Sequence, residues 1–150
     1  MTASSTPKRS DKEDILKTLQ DCFDAIQAKD AKKIVSHYTN DCIIFDVKPP
    51  FQTRGAVAWR HTWEACLPYF PDKFRIETQD VHAYVGTDMA VVHFMMRIIT
   101  DDPTHDAAQT WIRGTSCMKK QQSKWKVFHE HGSLPYNPHT RVADFSLEVS

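Results

Sequence analysis

The sequence of 150 residues has little glycine, no excess of either charge and no long apolar run. With four glycines and no Gly-rich phosphate loop, it offers no cradle for a nucleotide cofactor. Basic and acidic residues both total 19, so no global field attracts the chain to nucleic acid or anionic lipid. No apolar run is long enough to span a bilayer. We therefore expect no nucleic-acid partner, no membrane partner and no cofactor.

The four cysteines lack the spacing of a metal or redox site. Cys22, Cys42, Cys66 and Cys117 each lie among apolar neighbours, and the chain has no Cys-x-x-Cys pair. The N-terminus also lacks the apolar core of a secretory signal. Together these patterns predict reduced, buried thiols in a cytoplasmic protein. Residues 1–9 are expected to form a disordered tail.

Helix and strand signals predict three helices followed by a run of strands. Ser10 and Glu13 form a capping-box pattern before an amphipathic helix that ends near Lys29. The other predicted elements are a short helix with Ile34, Val35 and Tyr38 on one stripe, a strand Cys42–Asp46, a helix Gly55–Leu67 and long strands Phe74–Tyr84, Met89–Thr100, Gln109–Lys119 and Lys124–Ser133. Helices first and hairpin-linked strands afterwards predict an α+β domain.

The last predicted strand carries the strongest functional signal. Because side chains alternate along a strand, one face is expected to carry Trp125, Val127, His129, His131 and Ser133. Bulky apolar residues at its start and imidazoles at its end suit a pocket with an apolar floor and a polar working end. Lys126 and Glu130 are expected on the opposite, wetter face.

This order of elements resembles the nuclear transport factor 2-like superfamily, which includes ketosteroid isomerase, SnoaL-type polyketide cyclases and the association domain of calcium/calmodulin-dependent kinase II. The resemblance covers residues 10–136. It rests on Trp125-x-x-x-His129-x-His131-x-Ser133-x-Pro135 and on Phe45-Asp46-Val-Lys-Pro-Pro-Phe-Gln-Thr-Arg-Gly55. It implies a cone-shaped, curved antiparallel sheet wrapped around the N-terminal helix, a cavity at the wide end and a homodimer. Residues 137–150 would form a C-terminal extension.

Asp46 is the first candidate catalytic residue. It ends a buried strand, where a carboxylate is well placed to act as a general base. The resemblance to ketosteroid isomerase implies the same role, since that enzyme has its general base at the corresponding strand end. Its oxyanion-hole residues are not matched, because the two positions carry Cys22 or Phe23 and Thr115 or Arg113. Steroid isomerisation is therefore not expected, and Asp46 could instead form the turn before Pro49-Pro50.

His129 and His131 are the other candidate catalytic residues. As imidazoles they could act as acid and base or bind a substrate carbonyl. With His93 they could ligate a metal, but no carboxylate completes an obvious ligand set, so we predict no metal. The alternative is that both histidines anchor the strand through hydrogen bonds.

The third long strand supplies the candidate substrate-binding residues. Trp111, Arg113, Thr115 and Cys117 alternate onto one of its faces. An Arg buried beside a Trp would bind a carboxylate or enolate oxygen. Alternatively, Arg113 pairs with an acid at a dimer surface or stacks on an aromatic ring. The remaining expected pocket residues are Trp63, Tyr38 and His93.

Two functions remain open from the sequence. The first is a cofactor-free acid/base enzyme (an isomerase, cyclase, dehydratase or hydrolase) acting on a small, largely apolar carbonyl compound. Asp46 would take a proton, His129 or His131 would donate or shuttle it, and Arg113 with Trp111 would hold the oxyanion. The second is a non-catalytic domain that binds a metabolite or peptide carboxylate and oligomerises through its sheet, as the likeness to the kinase association domain implies.

Overall fold

The computed structural model describes residues 9–108 and 110–150 and has the predicted α+β architecture, with three α-helices before the long strands. The helices are α1 Asp11–Gln27, α2 Ala31–Val35 and α3 Ala56–Cys66, with short 3-10 turns at Leu67–Tyr69 and Asp106–Ala108. The strands are β1 Tyr38–Phe45, β2 Thr53–Arg54, β3 Arg75–Val85, β4 Met89–Ile99, β5 Ile112–Gln121, β6 Lys124–Ser133, β7 Tyr136–Asn137 and β8 Val142–Ala143.

Six strands form one curved, open sheet in the order β2-β1-β6-β5-β4-β3. Neighbouring strands are antiparallel except β1 and β6, which pair in parallel. Strand β3 has a bulge between Gln79 and His82, and Asp80 in that bulge has a positive φ of 50°. Bulges increase the local twist of a sheet, which helps this one curve around the helices.

Helix α1 lies inside the curved sheet, and its start follows the predicted capping box. The Ser10 hydroxyl accepts a hydrogen bond from the Glu13 N–H (3.2 Å), and the Glu13 carboxylate accepts one from the Ser10 N–H (2.9 Å). One face of α1 is buried in the core through Ile15, Leu19, Cys22, Phe23, Ala25 and Ile26. The cone-shaped sheet around the N-terminal helix is therefore confirmed.

Tyr38 begins β1, so its predicted place on the second helix is wrong. The short helix ends at Val35, and Tyr38 pairs with Val127 of β6. The phenol ring is 4% exposed and packs beside Trp59 of α3. Pairing with β6 and burial against α3 thus override the local helical stripe that the sequence suggests.

A bulge in β6 overturns the prediction that its five odd-numbered residues share one face. Cys117 of β5 pairs with His129, and the next residue, Met118, pairs with Val127, so Phe128 is an extra residue. Because an extra residue shifts the alternation by one, the two halves of β6 present opposite sets of side chains. Val127 points into the core, whereas His129 and His131 point away from it.

We call the sheet surface that packs on α1 and α3 the inner face, and the opposite surface the outer face. After the bulge, Glu130 lies on the inner face, where its carboxylate contacts Tyr38 and the buried Ser116. The predicted wet environment for Glu130 is therefore wrong.

Among the described residues, no helix is long and apolar enough to cross a membrane.

Candidate functional site

The inner face carries a carboxyl cluster made of Tyr38, Ser116 and Glu130. The Tyr38 hydroxyl donates to Glu130 Oε1 at 3.0 Å, and the Ser116 hydroxyl donates to Glu130 Oε2 at 2.6 Å. Ser116 is fully buried and Tyr38 nearly so. Three strands contribute one residue each, because β6 lies between β1 and β5 in the sheet.

Burial raises the pKa of the Glu130 carboxyl above its ordinary value of 4.5, and the negative charge of Asp46 raises it further. The hydrogen bonds from Ser116 and Tyr38 lower this pKa, and so does the nearby His129. These effects do not cancel the effect of burial. A carboxyl in this setting holds its proton at a higher pH than an exposed one. A group that keeps its proton to a higher pH is better suited to donate it in a reaction.

Asp46 follows β1 on the helix side of the sheet. Its charge affects both Glu130 on β6 and Cys66 at the end of α3. Asp46 Oδ1 accepts a hydrogen bond from the Val47 N–H (2.8 Å), and Oδ2 pairs with the Lys48 ammonium (2.6 Å). Each carboxylate oxygen has a second lone pair, so Asp46 can still accept from or take a proton from a ligand.

A line of aromatic side chains extends from the carboxyl cluster along α3. Ring centroids are 6.4 Å apart between Tyr38 and Trp59, 5.4 Å between Trp59 and Trp63 and 6.2 Å between Trp63 and Phe70. The indole Nε1 atoms of Trp59 and Trp63 are both buried. The Trp59 N–H is directed at the Tyr38 hydroxyl, whereas Trp63 Nε1 has no hydrogen-bond partner among the described residues. Because a buried N–H without an acceptor is costly, the Trp63 donor is suited to a ligand oxygen.

Two clefts flank the loop that follows Asp46. One has a volume of about 710 Å³ and is lined by Asp46, His131, Phe45 and residues 47–52. The other, of about 660 Å³, lies on the α3 side and includes Cys66 and Phe70. Lys48, Pro49 and Pro50 border both clefts. The first cleft brings two predicted catalytic residues, Asp46 and His131, to one opening.

The other predicted polar site residues lie together on the outer face. One row across the sheet consists of His82, His93, Thr115, His131 and Phe45. Parallel rows place Arg113 beside Ser133 and Cys117 beside His129. Of these residues, His131 lines the first cleft with Asp46, whereas His93, Thr115, Arg113 and His129 are separated from the interior by the sheet. Arg113 is exposed and donates to the Ser133 hydroxyl at 3.1 Å.

His129 is held in one tautomer. Its Nδ1 lies 2.7 Å from the Ile43 carbonyl oxygen, which can only accept, so Nδ1 carries the proton. Phe45 packs edge-on between the two imidazoles, with ring centroids 4.8 Å from His129 and 5.5 Å from His131. His129 thereby ties β6 to β1, which matches the anchoring alternative for this residue.

Trp111 is buried, but it lies outside the core cluster and contacts the C-terminal segment. The Arg97 guanidinium stacks on its indole at 4.6 Å from the ring centroid, and its Nε1 donates to the Glu148 carboxylate at 3.2 Å. Arg97 also pairs with Glu77 at 2.7 Å. Trp111 and Arg113 are therefore not placed to hold an oxyanion beside Asp46.

The histidines do not converge on a metal. Thr115 separates His93 from His131 in the sheet, so their strands are about 10 Å apart. Within residues 9–108 and 110–150, no group of three or more His, Cys, Asp or Glu side chains is arranged to hold a metal ion.

Sequence reasoning missed Glu130 and Ser116 as site residues and placed Tyr38 on the wrong element. Alternation along β6 puts Glu130 on the wet face unless the bulge at Phe128 is known. Ser116 lies between Thr115 and Cys117 in β5, and nothing in this neighbourhood distinguishes it from an ordinary strand serine. The carboxyl cluster can be recognised only when the pairing of β1, β6 and β5 in the sheet is known.

Comparison with known families gives a match over most of the chain. A family model described as a SnoaL-like domain matches residues 15–137. Among curated proteins, none matches the chain.

Solved structures with the same fold support this match. A nuclear transport factor 2-like protein of unknown function from Pseudomonas putida is 24% identical, with 95% of this chain and 100% of that chain covered and a TM-score of 0.84. A proposed dehydratase of the same family from Streptomyces avermitilis is 15% identical, with 83% and 96% covered and a TM-score of 0.71. A proposed calcium/calmodulin-dependent protein kinase type II association domain from Thiobacillus denitrificans is 16% identical, with 77% and 90% covered and a TM-score of 0.64.

Proposed function

This chain belongs to the SnoaL-like domain family, and we propose that it is a cofactor-free acid/base enzyme acting on a small, largely apolar carbonyl compound. One observation carries the proposal: two carboxyl groups on the helix side of the sheet, Glu130 and Asp46, have different bonding partners. Glu130 is bonded to two hydroxyls with its pKa raised mainly by burial, whereas Asp46 pairs with Lys48. Neighbouring carboxyls in different environments are suited to separate acid and base roles.

In the proposed reaction, the Asp46 carboxylate removes a proton from the carbon next to the substrate carbonyl. The Glu130 carboxyl donates its proton, either to the developing enolate oxygen or to a leaving hydroxyl that departs as water. The first outcome leads to isomerisation and the second to dehydration. The indole N–H of Trp63 would donate a hydrogen bond to a substrate oxygen, and the aromatic rings of α3 would pack on the apolar part of the substrate. Dehydratase descriptions among the structural relatives are in keeping with this chemistry.

Deuterium exchange tests the proposal without knowledge of the natural substrate. Small aliphatic and aromatic ketones and β-hydroxy ketones would be incubated with the protein in D₂O, and incorporation at the α-carbon followed by NMR. We expect saturable exchange with at least one ketone, at a rate well above that of heat-denatured protein at equal concentration. Exchange that is no faster with native protein for any compound, while NMR detects ketone binding, would contradict the enzymatic proposal.

A second candidate function is non-catalytic ligand binding. The observation that favours it is the state of Asp46, whose two carboxylate oxygens already have partners in Val47 and Lys48. Binding of a ketone without any exchange would support this alternative.

We also propose that the outer face forms a homodimer. It exposes Phe45 (38%), Tyr84 (63%), Met89 (54%) and Val91 (37%), and exposed apolar side chains concentrated on one sheet face are typical of an association surface. Two structural relatives are described as association domains.

Val91→Glu is expected to convert a dimer to a monomer, because it would bury an unpaired charge at the centre of the proposed interface. Light scattering after gel filtration measures the mass, and Val57→Glu on the exposed side of α3 is the control. A dimer that persists in Val91→Glu and is lost in Val57→Glu would place the interface elsewhere.

A further inference from the structure

A third cleft shares no lining residue with the two clefts beside Asp46 and lies between α1 and the turn that joins β5 to β6. Its volume is about 660 Å³. We call it the α1 cleft, and its lining residues are Arg9, Asp14, Lys17, Thr18, Asp21, Ser36, His37, Ser123, Lys124, Trp125 and Lys126. None of these residues belongs to the proposed acid/base site.

The charges in the α1 cleft are not balanced. Its two carboxylates already have cationic partners, since Arg9 lies 3.6 Å from Asp14 and Lys17 lies 2.6 Å from Asp21. The two remaining ammonium groups, those of Lys124 and Lys126, have no acidic partner in the part of the chain that the structure describes. The lining of the cleft therefore has an excess of two positive charges.

His37 adds a third group without a partner. Its backbone is fixed, because its N–H donates to the Ile34 carbonyl and its own carbonyl accepts from the Val127 N–H. The imidazole Nε2 is buried and has no hydrogen-bond partner among the described residues. A buried polar atom without a partner, on a residue that lines a cleft with uncompensated positive charge, is suited to an anionic acceptor.

We propose that the α1 cleft binds a small doubly charged oxyanion, a phosphate ester or a dicarboxylate, held by Lys124, Lys126 and the His37 imidazole. The two ammonium groups would neutralise the anion, and Nε2 would donate a hydrogen bond to it. This site is independent of the acid/base site, so it would hold either a regulatory ligand or a second small molecule.

The proposal gives a defined pH dependence. Burial lowers the pKa of His37 below 6.5, and Lys126, Lys33 and Lys17 lower it further, while Asp21 raises it. A bound dianion favours the charged imidazole, so its affinity must increase as the pH falls through the pKa of His37. Sulfate is the appropriate probe because its own charge is constant in this range.

The experiment measures sulfate, inorganic phosphate and succinate binding to the full chain by calorimetry and by ¹H–¹⁵N NMR shifts at constant ionic strength. We expect saturable binding with a Kd on the order of 1 mM and shifts at His37, Lys124 and Lys126. The double variant Lys124→Gln/Lys126→Gln should bind at least about tenfold more weakly. The matched control, Lys32→Gln/Lys73→Gln, removes two exposed charges outside the cleft.

The comparison among probes identifies the class of ligand. Tighter binding of phosphate indicates a phosphate ester, and tighter binding of succinate indicates a dicarboxylate. His37→Gln should remove the increase in sulfate affinity between pH 7.5 and 5.0 without unfolding the protein. Equal weakening in both double variants, absence of saturable shifts with all three anions, or an unchanged pH response in His37→Gln would each overturn the proposal.

Discussion

Replacing Glu130 by glutamine is expected to slow deuterium exchange by about 100-fold or more, because the side chain can no longer donate a carboxyl proton. Glutamine has the same shape and can still accept a hydrogen bond from Tyr38 or Ser116, so the fold is preserved. Asp46→Asn should have a similar effect, since an amide cannot take up the substrate proton. Asp72→Asn, at an exposed turn position, is the matched control and should leave the rate unchanged.

The same substitution should increase stability above the ordinary titration range of a glutamate. Because burial is the main cause that raises the pKa of folded Glu130 above 4.5, folding favours its protonated form. That contribution to stability is fully present below pH 4.5 and is lost as the pH rises through the pKa of the folded state. Glutamine cannot ionise, so the advantage of the variant should grow with pH and reach about 0.5–2 kcal/mol.

Urea unfolding of wild type and Glu130→Gln at pH 4 and pH 8 measures this effect. The free energy of unfolding of the variant should exceed that of wild type at pH 8 and not at pH 4. A variant that is slower in exchange but equally destabilised at both pH values would indicate that Glu130 has a structural role.

Gly114→Ala is expected to lower the free energy of unfolding by about 1–3 kcal/mol. Gly114 lies on the inner face of β5, and a methyl group there would overlap the ring of Phe94. That ring is 4% exposed and packs edge-on against Phe23 of α1, with centroids 5.4 Å apart. It can therefore move only by disturbing the contact between the sheet and the helix that it surrounds.

Gly132→Ala is a matched control because Gly132 pairs directly with Gly114 in the sheet. A methyl group at Gly132 would meet its nearest neighbour, Val47, at 3.5 Å, which is an ordinary contact. Both substitutions reduce the entropy of the unfolded chain equally, so their difference reports the overlap with Phe94. Equal stability of the two variants would contradict the packing described here.

Much of the fold could be predicted from the sequence because its signals are local. Ser10 and Glu13 define the start of α1, and β6 runs over the predicted residues Lys124–Ser133. Tyr38 could not be placed correctly, because its position depends on pairing with Val127, almost 90 residues away along the chain. The parallel pairing of β1 with β6 is equally non-local.

The site was predicted only in part for a similar reason. Asp46 follows β1 on the helix side of the sheet, whereas His129, His131, Arg113, Thr115 and His93 lie on the outer face. A single extra residue at Phe128 reverses the alternation along β6, so His129 and His131 face away from the side that Val127 occupies. Glu130 then lies between the hydroxyls of Tyr38 and Ser116, because β6 lies between β1 and β5 in the sheet.

The protonation of Glu130 is the most direct test of this account, and ¹³C NMR of the labelled side-chain carboxyl measures it in the intact protein. The midpoint of the titration should lie above 4.5 and should rise further in Ser116→Ala, because the Ser116 hydrogen bond lowers the pKa of Glu130. A midpoint at or below 4.5 in wild type would mean that Glu130 is ionised like an exposed carboxylate, and would contradict its role as the proton donor.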